Sequence, residues 1–380
     1  MIIAIPAETF PGERRVALVP ESVQRLAAKG VSLRAQSGAG QGAWFADDDY
    51  RRAGASIETA AALLWGEADV VAKIHPPTIA EVEQLRRGAT LICLLYPHRH
   101  PDVVLRLAAG RITTVALENL PRTTIAQAMD VLSSQSTVAG YRAVILAVNA
   151  LAKFFPMLMT PAGTIAPARV LVLGAGVAGL QAIATARRLG AVVEAFDVRR
   201  AARQEVESLG AKFITGADFE DAATVEGYAR QLTDDVLRRV RSIIRPNLAL
   251  CDVCITSALV PNQRAPILLT REMVLSMRPG SVIVDLAGAQ GGNCELTEAG
   301  KDVLTQGVMI FGRLNLPSEL AIDASRMYSR NMEKLLLHFY RDGILRLDFR
   351  DEITQRCIVT HDGEIVAPEL RQALAVGRGD

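Results

Sequence analysis

The chain is short of the residues that build disulfide and metal chemistry. It carries 5 cysteines and 5 histidines in 380 residues, and the cysteines are scattered at positions 93, 251, 254, 294 and 357. An odd, scattered set fits a reducing cytosol and argues against a disulfide framework. Cys251 and Cys254 form a C-x-x-C, but no second pair or histidine cluster accompanies it. No metal site is therefore expected, and LALCDVCITSAL reads as a buried strand with period-two packing. An excess of charge of one sign is also missing: 42 Lys and Arg stand against 41 Asp and Glu, a net charge of +1. Nothing there calls for a nucleic acid or an anionic membrane as partner. Long apolar runs are absent too. The longest, residues 143–159, is broken by Asn149, Lys153 and Pro156, whereas a bilayer span needs roughly 20 apolar residues. No signal peptide is expected, because residues 1–5 read as a strand followed by Pro6 and a charged segment.

What the chain does have is a hydrophobic content of 50%, enough for well-buried α/β cores in two domains of ordinary size. Its most informative stretch is RVLVLGAGVAGLQAIATARRLGAVVEAFD, residues 169–197. Residues 170–173 form an apolar run short enough for a buried parallel strand, and they lead into Gly174, Gly176 and Gly179 in G-x-G-x-x-G spacing. The first glycine permits a tight turn, the second lets a pyrophosphate approach the backbone, and the third lets helix pack on strand. A helix is expected over residues 177–189, stopped by Gly190, with its amides and positive dipole end toward the phosphates. Asp197 closes the next strand, where a carboxylate accepts ribose hydroxyls and repels a 2′-phosphate, so NAD(H) is favoured over NADP(H). Arg199 complicates this reading: it is either a 2′-phosphate ligand or a solvated loop charge.

The rest of the chain alternates strand-like and helix-like segments, the pattern of parallel sheets with crossover helices. Residues 1–5, 31–35, 68–74 and 90–95 read as strands and residues 20–30 as a helix, so the first 120 or so residues form an α/β domain. SGAGQGAWF, residues 37–45, lacks a following apolar helix and reads as a loop. Residues 126–159 read as one long helical region; residues 248–256 and 281–286 read as further strands, and residues 318–339 as a second long helix. The expected fold is α/β, two Rossmann-like domains with parallel sheets joined by long helices. The expected division is 1–133 with 318–380, an N-terminal domain completed by the returning C-terminus, and 134–317, the NAD(H)-binding domain.

The segments PAETFPGERRVALVPESV, PRTTIAQAMDVLSSQSTVAGYRAV and SVIVDLAGAQGGNCELTEAG, with the glycine turn, resemble the NAD(H)-binding alpha subunit of proton-translocating nicotinamide nucleotide transhydrogenase. The resemblance runs over essentially the whole chain; alanine dehydrogenases share the fold and much of the pattern. It implies that Arg122, Gln127, Asp130 and Ser133 surround the nicotinamide, with Arg122 and Asp130 pairing to orient carboxamide and ribose, and Gln127 reaching toward the second nucleotide. Directional hydrogen bonds of this kind suit the alignment of two rings. The alternative is a helix N-cap with surface polar side chains. Tyr141 is either near the same site or an ordinary helix tyrosine. The resemblance places Val177, Asp197, Val198 and Arg199 at the diphosphate and ribose, and Ala258 and Leu259 near the ring. It places Gly227 and Tyr228 in a loop that folds over nucleotide, against the alternative of a plain solvent loop.

An alanine dehydrogenase must also move a proton beside a keto oxygen. Arg15 and Lys73 match its substrate-binding arginine and lysine, but its catalytic histidine falls at Tyr96 and its catalytic aspartate at Ala289. A tyrosine with a pKa near 10 is a poor substitute, and His98 and His100 are offset from the strand end. Arg15 and Lys73 are either inherited structural residues or a remnant anion site. The resemblance thus implies hydride transfer between NADH bound here and NADP+ on a partner. The implied partners are a membrane-spanning subunit and an NADP(H)-binding subunit, served by a peripheral homodimer on the cytosolic face of the inner membrane. The competing readings are an alanine-type dehydrogenase and a non-catalytic NAD sensor.

Overall fold

The computed structural model describes residues 1–215, 233–260, 263–368 and 370–372; Gly227 and Tyr228 lie outside the described residues. The chain divides into two compact units, Met1–Gln135 with Ser318–Asp380, and Ser136–Pro317.

In the first unit, six short apolar segments form β1 (Ile2–Ile5), β2 (Ser32–Gln36), β3 (Ser56–Glu58), β4 (Val70–Ala72), β5 (Thr90–Cys93) and β6 (Thr113–Ala116). They pair in parallel in the order β3-β2-β1-β4-β5-β6. Alternation along each strand feeds two cores. Ile3, Ile5, Ala72 and Ile92 pack with Tyr328, Met332 and Leu336 of the helix Ala321–Phe339, while Ala4, Val71 and Leu91 pack with Trp65, Val104 and Leu107. Beyond β6 the returning chain adds the antiparallel strands Ile358–His361 and Glu364–Ile365. The Thr360 hydroxyl donates to Ile112 O at 2.7 Å, closing that seam.

The second unit opens with a two-stranded hairpin, β7 (Leu158–Thr160) and β8 (Gly163–Ile165). Its main sheet contains β9 (Arg169–Leu173), β10 (Val192–Phe196), β11 (Lys212–Phe213), β12 (Val253–Thr256), β13 (Val282–Asp285), β14 (Asp302–Thr305) and β15 (Val308–Phe311). The order is β11-β10-β9-β12-β13-β15-β14, all parallel except β14. The order reverses at β9, so the sheet is doubly wound, with its crevice at the carboxyl ends of β9 and β12. Both sheets are thus of the Rossmann-like α/β class read from the sequence.

Two segment readings are corrected. Helix does not fill residues 126–159: it spans Val131–Ala150, after a separate 3-10 turn at Ala126–Met129. Pro156 disfavours helix in the residue before it, and the chain enters the β7–β8 hairpin instead. Residues 248–250 belong to the end of the helix Asp234–Leu250, and only Val253–Thr256 is strand. There the 3.6-residue period of buried Val240, Ile244 and Leu248 prevails over the two-residue period read from the sequence. Among the described residues, no helix is long and apolar enough to cross a membrane.

Gly140 sets how close the helix Val131–Ala150 comes to the glycine-turn helix. A Cβ there would lie 2.1 Å from Ala178 O, a backbone atom that cannot swing aside. Alanine would gain roughly 1 kcal/mol in helix propensity, but separating the helices outweighs it. Gly140→Ala is therefore expected to destabilise the protein by about 1–3 kcal/mol, read as a lower urea midpoint by circular dichroism.

Candidate functional site

The three glycines after β9 do three different jobs. Gly174 has φ +93°, and a Cβ on it would meet Ala258 N at 3.0 Å. A Cβ on Gly179 would lie 1.9 Å from Gly174 O, so only glycine lets the helix Val177–Arg188 pack against its own turn. A Cβ on Gly176 would meet nothing within 4 Å. That open side, with first-turn amides that receive no side-chain cap from Gly176, has the room and the donors for a pyrophosphate. Val177 beside it is 40% exposed. The residues present fit a dinucleotide.

Asp197, at the tip of β10, is nearly buried. Its Oδ2 accepts from Ala175 N at 2.7 Å and from the Arg199 guanidinium at 2.9 Å. Its Oδ1 accepts from Arg199 N at 2.8 Å and Arg199 Nε at 2.9 Å. These bonds use the roughly four acceptor positions of a carboxylate. Arg199 is therefore folded back onto the acid and is not a free loop charge. A ribose can take hydroxyl bonds from Asp197 only by displacing some of that guanidinium. Val198 packs against the β-sheet core on the same side.

Across the crevice, at the end of β12, the Ser257 hydroxyl donates to Gly174 O at 3.0 Å. Ala258 is half-buried and Leu259 is 40% exposed. Sequence reasoning overlooked the groups that hold this segment. Asn293, fully buried, bonds both the N–H and the C=O of Ala258, and the buried carboxylate of Asp285 anchors Asn293 N at 2.8 Å. The available signal was the acid ending the apolar strand SVIVD, placed like the acid ending VVEAFD.

In the first unit, Arg122 and Gln127 are exposed, and Asp130 and Ser133 are half-buried. The structure brings Asp130 and Ser133 together: Asp130 Oδ1 accepts from Ser133 N at 2.9 Å and Oδ2 from the Ser133 hydroxyl at 2.5 Å. Asp130 thereby caps the first turn of the helix Val131–Ala150. Gln127 is held in the preceding turn by its N–H, which donates to Thr123 O at 3.0 Å. Tyr141, further along that helix, is 43% exposed.

Arg15 and Lys73 are both buried in ion pairs of the same unit. Arg15 donates to both carboxylate oxygens of Glu13, at 2.9 and 2.6 Å, and to Gln135 at 2.8 Å. His75, stacked on Phe10, shares Glu13 at 2.6 Å. Lys73 lies 3.4 Å from Glu8 and 3.3 Å from Glu81. Internal carboxylates therefore already neutralise the two cations.

The position matching the dehydrogenase histidine is held by Tyr96. Tyr96 adopts φ +48°, and its N–H donates to Glu118, which also accepts from Leu95 N at 3.0 Å. Burial, and next the Glu118 charge, push the Tyr96 phenol up to about 12. His98 is exposed and His100 starts the helix Pro101–Ala109. Ala289 lies in a 3-10 turn, Gly288–Gln290. All five cysteines are buried free thiols; burial raises Cys251 to about 12 and Cys254 well above its ordinary value. No metal-binding cluster occurs among the described residues.

Comparison with known proteins agrees with this geometry along both units. Residues 4–139 match the profile "Alanine dehydrogenase/PNT, N-terminal domain", and residues 143–368 match its C-terminal counterpart. The chain belongs to the alanine dehydrogenase/PNT family. Within the family it is 48% identical over 379 residues to an NAD(P) transhydrogenase alpha subunit chain of Rhodospirillum rubrum, covering 97% of this chain and 99% of that protein. An alanine dehydrogenase of Halomonas elongata is more distant, at 30% identity over 99% of this chain and 97% of its own. Among solved structures, the transhydrogenase from Sinorhizobium meliloti superposes with a TM-score of 0.85 at 41% identity, covering 97% of this chain and 100% of that one. The resemblance to the transhydrogenase alpha subunit read from the sequence is borne out.

The buried ion pairs make a direct stability test. Lys73→Met leaves Glu8 and Glu81 buried without their cation, and a broken buried pair costs about 3–5 kcal/mol. The expected outcome is a large drop in the denaturant midpoint of the first unit; an unchanged midpoint would show that Lys73 is not structural.

Proposed function

We propose that this chain is the NAD(H)-binding subunit of a proton-translocating transhydrogenase, working with a membrane-spanning subunit and an NADP(H)-binding subunit. The observation that carries the reading is the full-length match to a transhydrogenase alpha subunit in a chain whose Tyr96 and Ala289 leave no proton-transfer pair. Bound NADH would supply the C4 hydride, and the exchange NADH + NADP+ → NAD+ + NADPH leaves no oxygen to protonate. That chemistry asks the protein for alignment more than for an acid or base.

In this reading the open turn at Gly176 and the Val177 end of the helix hold the pyrophosphate, and Gly174 and Gly179 shape that turn. Asp197, flanked by Val198 and Arg199, takes the adenosine ribose, and Ala258 and Leu259 flank the ring. Arg122 and Asp130 orient carboxamide and ribose, Ser133 completes that group, and Gln127 reaches toward the NADP(H) of the partner. The chain works as a homodimer, peripheral on the cytosolic face of the inner membrane, with transfer driven by inward proton flow through the membrane subunit.

The deciding experiment combines the purified chain with a separately purified NADP(H)-binding transhydrogenase domain and follows hydride transfer from NADH to an NADP+ analogue. Transfer that needs both proteins, with pyruvate plus ammonium inert, supports the reading. NADH oxidation by pyruvate plus ammonium with this chain alone would move it to the alanine-type dehydrogenases, and tight binding without turnover would make it a sensor. In the same assay, Asp130→Asn and Gln127→Asn should slow transfer by tenfold or more, as expected when a positioning hydrogen bond of about 1.5 kcal/mol is lost. NADH binding should stay within twofold. For the ribose site, Asp197→Ala should weaken NADH about tenfold and release Arg199, raising affinity for NADPH. Unchanged NADH and NADPH dissociation constants in calorimetry would remove Asp197 from the site.

A further inference from the structure

The second unit's sheet consists of two halves that meet at the crevice between β9 and β12. The half running outward from β9 through β10 and β11 carries the glycine turn and Asp197. By the logic of the doubly wound fold, the second half, β12, β13 and β15, receives the other mononucleotide of a bound dinucleotide. The peptide at Ser257–Ala258 is the first backbone to leave β12 on that side. It touches the turn directly: the Ser257 hydroxyl bonds Gly174 O at 3.0 Å, and a Cβ on Gly174 would be 3.0 Å from Ala258 N. The position of Ala258 therefore defines one wall of the crevice.

That position is imposed by one side chain. The carboxamide oxygen of Asn293 accepts from Ala258 N at 3.0 Å, and its nitrogen donates to Ala258 O at 2.8 Å and to Pro266 O at 2.9 Å. Asn293 thus pairs with both polar backbone groups of Ala258, as a neighbouring strand would. Its own backbone is equally constrained. Asn293 N donates to Asp285 Oδ2 at 2.8 Å, and Asn293 O accepts from Leu268 N and Leu269 N at 2.8 and 3.0 Å. Asp285, completely buried, also accepts from Cys294 N, Ala287 N and the hydroxyls of Thr256 and Thr297, at 2.7–3.1 Å. Gly292 belongs to the same device, since a Cβ there would meet Asp285 Oδ2 at 2.8 Å.

We propose that Asn293 is a positioning residue for the nicotinamide half of the bound dinucleotide, acting through the Ala258 peptide it clamps. This rests on the reading that the second unit binds a dinucleotide. One consequence is chemical. With its N–H committed to Asn293, Ala258 has no donor left for a ligand, and its methyl group with the exposed Leu259 side chain offers an apolar surface to the ring face.

The test compares two ligands that differ only beyond the pyrophosphate: NADH and ADP-ribose, titrated calorimetrically into wild type, Asn293→Ala and the milder Asn293→Ser. Loss of the clamp should weaken NADH about tenfold, the effect of roughly one hydrogen bond's worth of misplacement, while ADP-ribose stays within twofold. Asn293→Ser should fall between, and it carries the test if the alanine variant does not fold. An equal loss for both ligands would mean general loosening of the unit, and unchanged NADH affinity would mean that Ala258 needs no clamp; either overturns the proposal. Wild type that binds neither ligand would instead overturn the dinucleotide reading itself.

Discussion

The turn at Gly174 and Ala175 is the point on which the second unit depends. Gly174 N donates to Phe196 O at 2.8 Å, Ala175 N donates to Asp197, and Gly174 O receives the Ser257 hydroxyl. Three strand ends, those of β9, β10 and β12, are therefore tied at one turn. The missing Cβ of Gly179 then allows the helix to start within contact of the same carbonyl. Close packing at a turn this crowded leaves no tolerance for an added methyl group. It also leaves one side of the turn, at Gly176, open. A crowded interior face and an empty outer face on the same few residues are what a backbone-lined anion site requires.

The two units share a strand order, 3-2-1-4-5, yet offer different chemistry at the carboxyl ends of their strands. Where the second unit has glycines after its first strand, the first has Glu8, Glu13 and Arg15 after β1, facing Lys73 and His75 after β4. The arginine, lysine and glutamates satisfy one another in buried ion pairs, and His75 hydrogen-bonds Glu13. Such pairs contribute little net stability but are costly to break, which suits a rigid support more than a site that exchanges protons. Glu118 works similarly. By accepting from Leu95 N and Tyr96 N it holds the strained turn at Tyr96, and burial, opposed by its backbone hydrogen bonds, raises its carboxyl above the usual range.

Carboxylates at the ends of elements recur as organisers of the loops that follow. Asp197, Asp285 and Asp130 each end a regular element, and each gathers N–H groups or hydroxyls from the loop that follows. A short acid at an element's end can satisfy several orphan donors at once. Loops that would otherwise carry conformational freedom are thereby fixed around the crevice of the second unit and at the start of the helix Val131–Ala150.

Much of this was legible in the sequence because local chemistry determined it. The apolar runs of β9, β10 and β13, the glycine spacing, the acid at Asp197 and the doubly wound class follow from period, turn stereochemistry and burial, all of which act over a few residues. Where two local signals competed, the sequence misled: a helical period ran on to residue 250 where a strand was expected, and the helix expected to run to residue 159 stopped at Ala150. Tertiary structure alone decided what depends on distant partners. It set Glu13 against His75, 62 positions away, and brought Asn293 to Ala258, 35 positions apart in the chain. Side chains reveal their type in sequence but not their partner, because a hydrogen bond depends on a few tenths of an ångström that only the packed chain supplies.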